Sequence, residues 1–386
     1  MNKHFVDTAG GRAYVAVPQA GEGPGLLVLS DVSDTDQDRR ELGDFYAAEG
    51  YVALCPEVSA FSREIEDIAS AIAALRARAE CTGKVGALGF GLGGKLACRA
   101  AATANVDCAV SYYGFGIDFG LNFVPRIRSP LVLHFAEKDP QTPPEAIARV
   151  KEALSRHPDA AVYLYPEVAP GFDRPTKPNY DKQAAGVAHS RSIAALRRAM
   201  GPHYDLEALW EKHTTYEFAT RDVEATMHTM VPEPYVNHVP VMTGGVGQHD
   251  LARFYANHFI PKLPADTRLV PISRTVGADR IVDEMLFCFT HDTEIDFMLP
   301  GVPPTGKYVE VPTVAIVNFR GDKICHEHIY WDQASVLVQI GLLDPKGLPV
   351  AGINTAKKLL DETRPSNTLM TRWAESAPGG KNPNSP

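Results

Sequence analysis

The chain has 386 residues, which predicts two or three domains at roughly 150 residues each. Apolar residues make up 45% and charged residues 22%, a globular composition that excludes a disordered chain. The 38 Lys and Arg against 47 Asp and Glu leave a net charge of −9. We therefore expect no nucleic-acid partner, because binding to phosphates favours a basic surface.

The sequence shows neither a membrane span nor a signal peptide. No stretch approaches the roughly 20 apolar residues that cross a bilayer, and residues 1–14 lack the apolar core of a signal peptide. The six cysteines are scattered without a C-x-x-C pair, which is typical of free, buried thiols in a reducing compartment. The sequence thus predicts a cytoplasmic protein with no membrane partner.

Over residues 1–200, apolar runs of strand length alternate with amphipathic helical segments. The first run is Gly25–Ser30, and the helical segment Arg39–Glu49 ends at Gly50, a helix stop. Later runs have the same character: Tyr51–Cys55, Val85–Gly89, Cys108–Tyr112, Leu131–Phe135 and Ala161–Tyr165. Strands that are apolar on both faces and separated by helices predict a parallel-rich sheet flanked by helices, an α/β fold.

The pattern changes after Gly201-Pro202, and a second domain is predicted at residues 205–360. Helical segments come first, followed by long strand patterns with few helices: Thr267–Thr275, Arg280–His291, Tyr308–Phe319 and Lys323–Trp331. Helices followed by consecutive strands predict an α+β domain with one curved antiparallel sheet. Residues 361–386 are polar and rich in Ser, Pro, Gly and Asn, so we expect a disordered tail.

A glycine-rich turn is the strongest motif of the first domain. The segment GFGLGG (residues 89–94) follows a strand and opens a helix, the pattern of the nucleophile elbow in α/β-hydrolases. Three further segments accompany it: AAEGYVALCPEV (47–58), YYGFGI (112–117) and PLVLHFAEKD (130–139). With these segments, residues 10–200 resemble the dienelactone hydrolase family.

That resemblance implies a Cys–His–Asp triad. The nucleophile position falls on Gly91, the histidine position on Pro170 and the acid on Asp139, while a family carboxylate after the first strand corresponds to Asp31. Since Gly has no side chain and Pro cannot act as a base, the first domain is predicted to be silent toward simple esters. The backbone N–H of Leu92 still offers a contact for an acid or a lactone.

Segments of the second domain resemble the ketosteroid isomerase and SnoaL-like superfamily. They are ATRDVEATMHTMVPEPYVNHVPV (219–241), PGVPPTGKYVEVP (300–312) and GDKICHEHIYWDQASVLVQIGLL (321–343). The resemblance implies a cone-shaped α+β fold around a pocket, and a homodimer formed through the open face of the sheet. It implies no particular reaction, because the superfamily contains isomerases, cyclases, hydrolases, dehydratases and binding proteins.

Ionisable residues are predicted to meet in that pocket. His238 precedes a Val-Pro pair on the first strand, where the isomerases place a general base, and His suits that role near neutral pH. His291 ends an apolar strand face, and Glu327 lies between apolar neighbours that favour its protonated, acidic form. If the last strand is shifted by one residue, His328 and Asp332 turn inward instead.

Further residues complete the predicted pocket. Substrate contacts are expected from four of them: Tyr216, Phe289, Trp331 and Asp283. His326 and His328 share one strand face and form a candidate metal pair, but no third ligand at recognisable spacing accompanies them. The sequence therefore predicts no metal and no organic cofactor.

The leading functional hypothesis is an enzyme whose second domain transfers protons next to a carbonyl group. The reaction would be isomerisation, cyclisation, elimination or hydration of a small apolar carbonyl or lactone compound. Two alternatives stay open: an ester or lactone hydrolase of the dienelactone hydrolase type in the first domain, and a non-catalytic ligand-binding protein. A small molecule is the expected partner in every case.

Overall fold

The computed structural model describes residues 3–8, 11–57 and 63–377. The chain divides into two units, Met1–Tyr204 and Asp205–Pro386. None of the helices in the described ranges has both the length and the apolar character needed to cross a bilayer. The cysteines are free thiols, as the sequence predicts.

One sheet forms the centre of the first unit. Its strands are β1 (Lys3–Thr8), β2 (Gly11–Ala16), β3 (Gly23–Leu29), β4 (Val52–Pro56), β5 (Cys81–Phe90), β6 (Ala109–Tyr112), β7 (Leu131–Ala136) and β8 (Ala160–Tyr165). Their order across the sheet is β1-β2-β4-β3-β5-β6-β7-β8. Pairing is parallel from β4 to β8 and antiparallel where β2 joins β1 and β4. The predicted parallel-rich sheet is therefore present.

Helices flank this sheet because its strands are apolar on both faces. They are α1 (Asp36–Ala48), α2 (Glu64–Arg76), α3 (Leu92–Thr103), α4 (Pro144–Leu154) and α5 (Lys182–Met200), with a 3-10 helix at Ile117–Arg126. Every residue of β3 and β4 is buried, and the main core cluster joins these strands to α2 and α3. α1 begins before the predicted Arg39, since Thr35 and Asp38 cap it reciprocally.

The second unit is built on a mixed sheet. Its strands are β9 (Met230–His238), β10 (Thr243–Val246), β11 (Arg268–Val276), β12 (Arg280–Thr290), β13 (Tyr308–Arg320) and β14 (Lys323–Trp331), in the order β10-β9-β14-β13-β12-β11. The pairs are antiparallel except for β14 with β9, which is parallel. The prediction of a purely antiparallel sheet is thus wrong at this pair. β9 and β14 are far apart in the chain, so no hairpin turn forces them to run in opposite directions.

The helices of the second unit are α6 (Leu206–Thr214), α7 (Val223–His228), α8 (Gly247–Phe254), α9 (Gln333–Ile340) and α10 (Asn354–Leu360). They precede its strands, follow them and, in the case of α8, lie between β10 and β11. α6 and α8 run directly into π-helical turns, Thr215–Ala219 and Tyr255–Phe259. Both turns contribute side chains to a cavity against the sheet, which fits the frequent position of π turns at functional sites.

The predicted tail is described only in part. Residues 361–377 are exposed and include a short 3-10 helix, Ala374–Ser376. The remainder, residues 378–386, lies outside the described residues.

Candidate active site

The glycine-rich turn of the first unit connects β5 to α3. Gly91 stands between them with φ 54° and ψ −117°, in the left-handed half of backbone space that favours glycine. A Cβ atom added at Gly91 would collide with Oδ2 of Asp31. The carboxylate of Asp31 therefore occupies the space where a side chain at position 91 would begin.

A cleft of about 320 Å³ surrounds this turn. Asp31, Gly91, Asp139 and Pro170, the residues that the sequence singled out in the first domain, all line it. They follow β3, β5, β7 and β8, so they meet at the carboxyl ends of parallel strands. Ligands in open α/β sheets bind at this edge.

Asp31 is oriented by its own loop. Its Oδ1 accepts hydrogen bonds from the N–H and the hydroxyl of Ser33, both at 3.0 Å. Leu92 is the first residue of α3, so its N–H has no acceptor within the helix. The turn thus combines an oriented carboxylate with a backbone donor.

Asp139 holds a turn. It is buried, and it accepts hydrogen bonds from the N–H of Gln141 (2.9 Å) and the hydroxyl of Thr142 (3.0 Å). Pro170 offers no imidazole to connect Asp139 to the glycine turn. Asp139 therefore shapes the cleft.

Two cations reach the cleft, and both are paired. Arg174 lies 2.8 Å and Lys177 2.9 Å from the buried carboxylate of Asp34, and Lys177 also lies 2.8 Å from Asp38. Burial alone would raise the pKa of Asp38, but hydrogen bonds from Lys177 and Thr35 lower it to about 2. The positive charge at the cleft is therefore balanced by carboxylates.

In the first unit, His134 and Ser192 form a hydroxyl–imidazole pair that resembles part of a catalytic dyad. His134 Nε2 lies 2.9 Å from Ser192 Oγ, and its Nδ1 lies 2.9 Å from the Tyr165 hydroxyl. His134 and Ser192 are fully buried, and neither lines the cleft. Burial lowers the pKa of His134 to about 3, so the pair is a neutral part of the core.

In the second unit, a cavity of about 60 Å³ lies between the helices and the sheet. Three of the predicted residues line it: His238, Glu327 and Trp331. On β14 the inward face carries Glu327, Ile329 and Trp331. The cavity brings these residues together, and their catalytic or substrate-contact roles stay predictions.

The other predicted acid–base residues lie elsewhere. His291 follows the end of β12, where strand alternation no longer sets its direction, and its Nδ1 lies 3.1 Å from the Thr305 hydroxyl. His328 is on the outward face of β14, with Nε2 2.8 Å from Nε2 of His326. Asp332 caps α9 by accepting from the N–H of Ser335. The placement of His291 in the pocket was therefore wrong, and the alternative register that would turn His328 and Asp332 inward is not the one present.

Three predicted substrate contacts are also outside this cavity. Tyr216 belongs to the π turn whose inward residues are its neighbours, Glu217 and Phe218. Phe289 lies on β12 and is fully buried, but it does not line the cavity. Asp283, near the opposite end of that strand, accepts from Arg274 (3.0 Å) and from the indole N–H of Trp210 (2.8 Å).

The sequence analysis missed two ionisable residues here: Glu217, which lines the cavity, and His213, which lies beside it. His213 Nε2 lies 3.1 Å from Glu217 Oε1 and 3.3 Å from Glu327 Oε1. The spacing of His213 and Glu217, one helical turn apart, was visible in the sequence, but their approach to Glu327 was not. Burial alone would lower the pKa of His213, yet the charges of Glu217 and Glu327 raise it to about 10.

The buried His238 and Glu327 favour neutral forms. Burial lowers the pKa of His238 to about 4. Burial also raises the pKa of Glu327, which the charge of His213 opposes.

Comparison with known proteins shows what the first unit is similar to. A family model described as "Dienelactone hydrolase family" matches residues 58–200. A protein of Azospirillum brasilense named "Putative carboxymethylenebutenolidase" is 32% identical over 218 residues, covering 49% of this chain and 94% of the relative. Carboxymethylenebutenolidase 1 of Cupriavidus pinatubonensis is 27% identical over 223 residues, covering 50% and 95%.

A solved structure was also matched. It is the "Putative Dienelactone Hydrolase" of Klebsiella pneumoniae, which is 20% identical, with a TM-score of 0.46. The match covers 51% of this chain and 98% of that one.

These relatives correct the leading functional hypothesis. The prediction of isomerisation, cyclisation, elimination or hydration in the second half was wrong, because the matching family is one of hydrolases and the relatives are named carboxymethylenebutenolidases. Their names support the hydrolase alternative instead.

Proposed function

The chain belongs to the dienelactone hydrolase family, and from that premise we propose that its first unit hydrolyses esters or lactones. One observation carries the proposal: the Asp31 carboxylate occupies the space beside Gly91 where the nucleophile of the family would project. The family names of the relatives support the reaction class. The carboxylate supplies a basic group at the turn where Gly91 stands in place of the family's cysteine.

In the proposed reaction, Asp31 acts as a general base. Water attacks the carbonyl carbon while Asp31 takes its proton, and the resulting oxyanion accepts a hydrogen bond from the Leu92 N–H. When the C–O bond breaks, the proton passes from Asp31 to the leaving oxygen, which gives an acid and an alcohol. Asp139 takes no part in proton transfer, because Pro170 cannot connect it to the site.

The charges of the cleft favour an uncharged substrate. Arg174 and Lys177 are already paired with Asp34 and Asp38, and Asp31 adds a further carboxylate. An anionic group would find its cationic partners engaged. We therefore propose a neutral ester or lactone.

The direct test is turnover of p-nitrophenyl acetate and of a dienelactone by the full chain. We expect Asp31→Asn to lower kcat by about 100-fold or more, the usual loss for a general base. Asp139→Asn is the matched control and should retain most of the activity. A wild-type rate equal to that of buffer, or full activity in Asp31→Asn, would contradict the proposal.

Gly91 and Pro170 favour a second candidate, ligand binding without turnover, because neither offers a reactive side chain. A thermal shift with a lactone that is recovered intact would support this candidate over hydrolysis.

For the second unit, we propose the cone-shaped fold of the SnoaL-like superfamily. The helix-then-strand order and the cavity between α6, the two π-helical turns and the sheet support this. A solved crystal structure of the unit, compared with members of that superfamily, is the test.

A further inference from the structure

Three buried ligand-type side chains form a cluster beside the cavity of the second unit, and two of them, Glu217 and Glu327, line it. His213, Glu217 and Glu327 are 0%, 4% and 2% exposed. One donor atom from each lies within 4.8 Å of the other two. They come from three different elements, α6, the π turn after it and β14, so the fold itself brings them together.

The hydrogen bonds around His213 determine which of its nitrogens is available. The Thr229 hydroxyl donates to the carbonyl of Thr226 at 2.6 Å, so it must accept from His213 Nδ1 at 2.6 Å. Nδ1 therefore carries a proton, and Nε2 is the atom that faces the two carboxylates. A histidine fixed at Nδ1 in this way is the usual arrangement of a metal ligand.

Glu327 supplies an independent indication of a ligand. Its Oε1 is buried and has no hydrogen-bond partner among the described residues, although it lies 3.3 Å from His213 Nε2. Buried polar atoms are normally satisfied, and an exception calls for an ion or water. Glu327 lines the cavity, so the unsatisfied atom is next to space that can hold one.

Charge leads to the same conclusion. An ionised carboxylate is costly in an apolar cavity unless a cation pairs with it. Two carboxylates, a neutral imidazole and a divalent cation sum to zero.

We propose that His213, Glu217 and Glu327 bind one divalent transition-metal ion. Two ligands that are each about 2.1 Å from one ion lie about 3.0–3.4 Å apart in octahedral or tetrahedral geometry, and the two measured separations from His213 Nε2 are 3.1 and 3.3 Å. The imidazole nitrogen selects this class over Mg²⁺ and Ca²⁺, which prefer all-oxygen sets.

The remaining coordination positions face the cavity. Its volume of about 60 Å³ accommodates a few waters or the oxygen of a small ligand. The apolar walls around them include Phe218, Val236 and Met285. This site is independent of the hydrolase proposed for the first unit, and either can fail without the other.

The test uses the full chain, stripped with a chelator and titrated calorimetrically with Mn²⁺ and, separately, with Zn²⁺. We expect one ion per chain and a raised Tm in its presence. Glu327→Gln and Glu217→Gln, which are nearly isosteric, should each weaken binding by at least about 100-fold.

His328→Gln is the matched control on the same strand. It changes the outward His326–His328 pair and should bind as the wild type does. Absence of binding by the wild type for both ions would overturn the proposal. So would loss of binding in His328→Gln together with retention in both Glu variants, because the ion would then sit on the surface pair. If one Glu variant fails to fold, the other decides.

Discussion

At the scale of single residues, the absence of a side chain at Gly91 and the position of the Asp31 carboxylate depend on each other. Gly91 has a positive φ, and the carboxylate of Asp31 occupies the space that a Cβ at position 91 would need. The two conditions act together, because only glycine both tolerates this φ and leaves the carboxylate in place.

Gly91→Ala should therefore lower the free energy of unfolding by about 1–3 kcal/mol, through backbone strain and displacement of Asp31. Urea denaturation measures this. In the double variant Gly91→Ala/Asp31→Gly the collision is absent. Its loss in free energy of unfolding should therefore be smaller than the sum of the losses in the two single variants. Strict additivity would show that the carboxylate does not occupy the space.

His134 makes stability depend on pH. Its pKa is lowered from 6.5 to about 3 by burial, so below about pH 6.5 the unfolded chain binds a proton that the folded chain does not. The free energy of unfolding should be highest above that pH and fall as pH drops toward 3. His134→Gln removes this contribution, and its stability should show a shallower loss between pH 6.5 and 4. Identical slopes for both proteins would contradict the account.

At the scale of elements, the sequence predicted strands by their apolar runs and failed where pairing depended on distant segments. β3 and β4 are fully buried and were visible as apolar runs. β1 and β2 were missed, because KHFVDT and GRAYVA mix charged and apolar residues. The parallel pairing of β14 with β9 was missed because consecutive strands favour hairpins.

Asp34 stabilises the conformation of the loop after β3. Its side chain is fully buried, pairs with Arg174 and Lys177, and accepts the N–H of Asp31 at 2.9 Å. Asp34→Ala should lower the free energy of unfolding by about 3–5 kcal/mol, because it removes the close carboxylate partner of the largely buried Arg174, one of the two partners of Lys177 and the acceptor of the Asp31 N–H. Chemical denaturation measures the loss.

Asp36→Ala is the control for that change. The Asp36 side chain is 56% exposed in its pair with Arg39. Asp36→Ala should therefore lower the free energy of unfolding by about 1 kcal/mol or less. Equal losses in the Asp34 and Asp36 variants would contradict a structural role for the buried network.

At the scale of the whole molecule, the sequence could name the residues of both sites only in part. Gly91, Asp31, His238 and Glu327 were identifiable from motifs. That Asp31 fills the space at Gly91 was not, because it depends on how two distant loops approach. The cluster at Glu327 likewise required the tertiary fold.

We also predict a homodimer formed through the second unit. The outward face of its sheet carries four apolar side chains on β12, β13 and β14, which lie beside Glu284 and His328: Val282, Val314, Ile316 and Tyr330. Val282 and Tyr330 are exposed, and such a patch is typical of an interface. Light scattering should give a mass of two chains for the wild type. For Ile316→Glu it should give the mass of one chain. A monomeric wild type at micromolar concentration would contradict the prediction.

Chemical rescue tests the central claim, that the Asp31 carboxylate performs hydrolysis in the space beside Gly91. Asp31→Gly should be nearly inactive toward a lactone or p-nitrophenyl acetate, and added formate should restore turnover in a saturable way by supplying a carboxylate to the vacated space. The wild type and Asp139→Asn should not respond to formate. Unchanged activity in Asp31→Gly, or inactivity that formate does not relieve, would contradict the account.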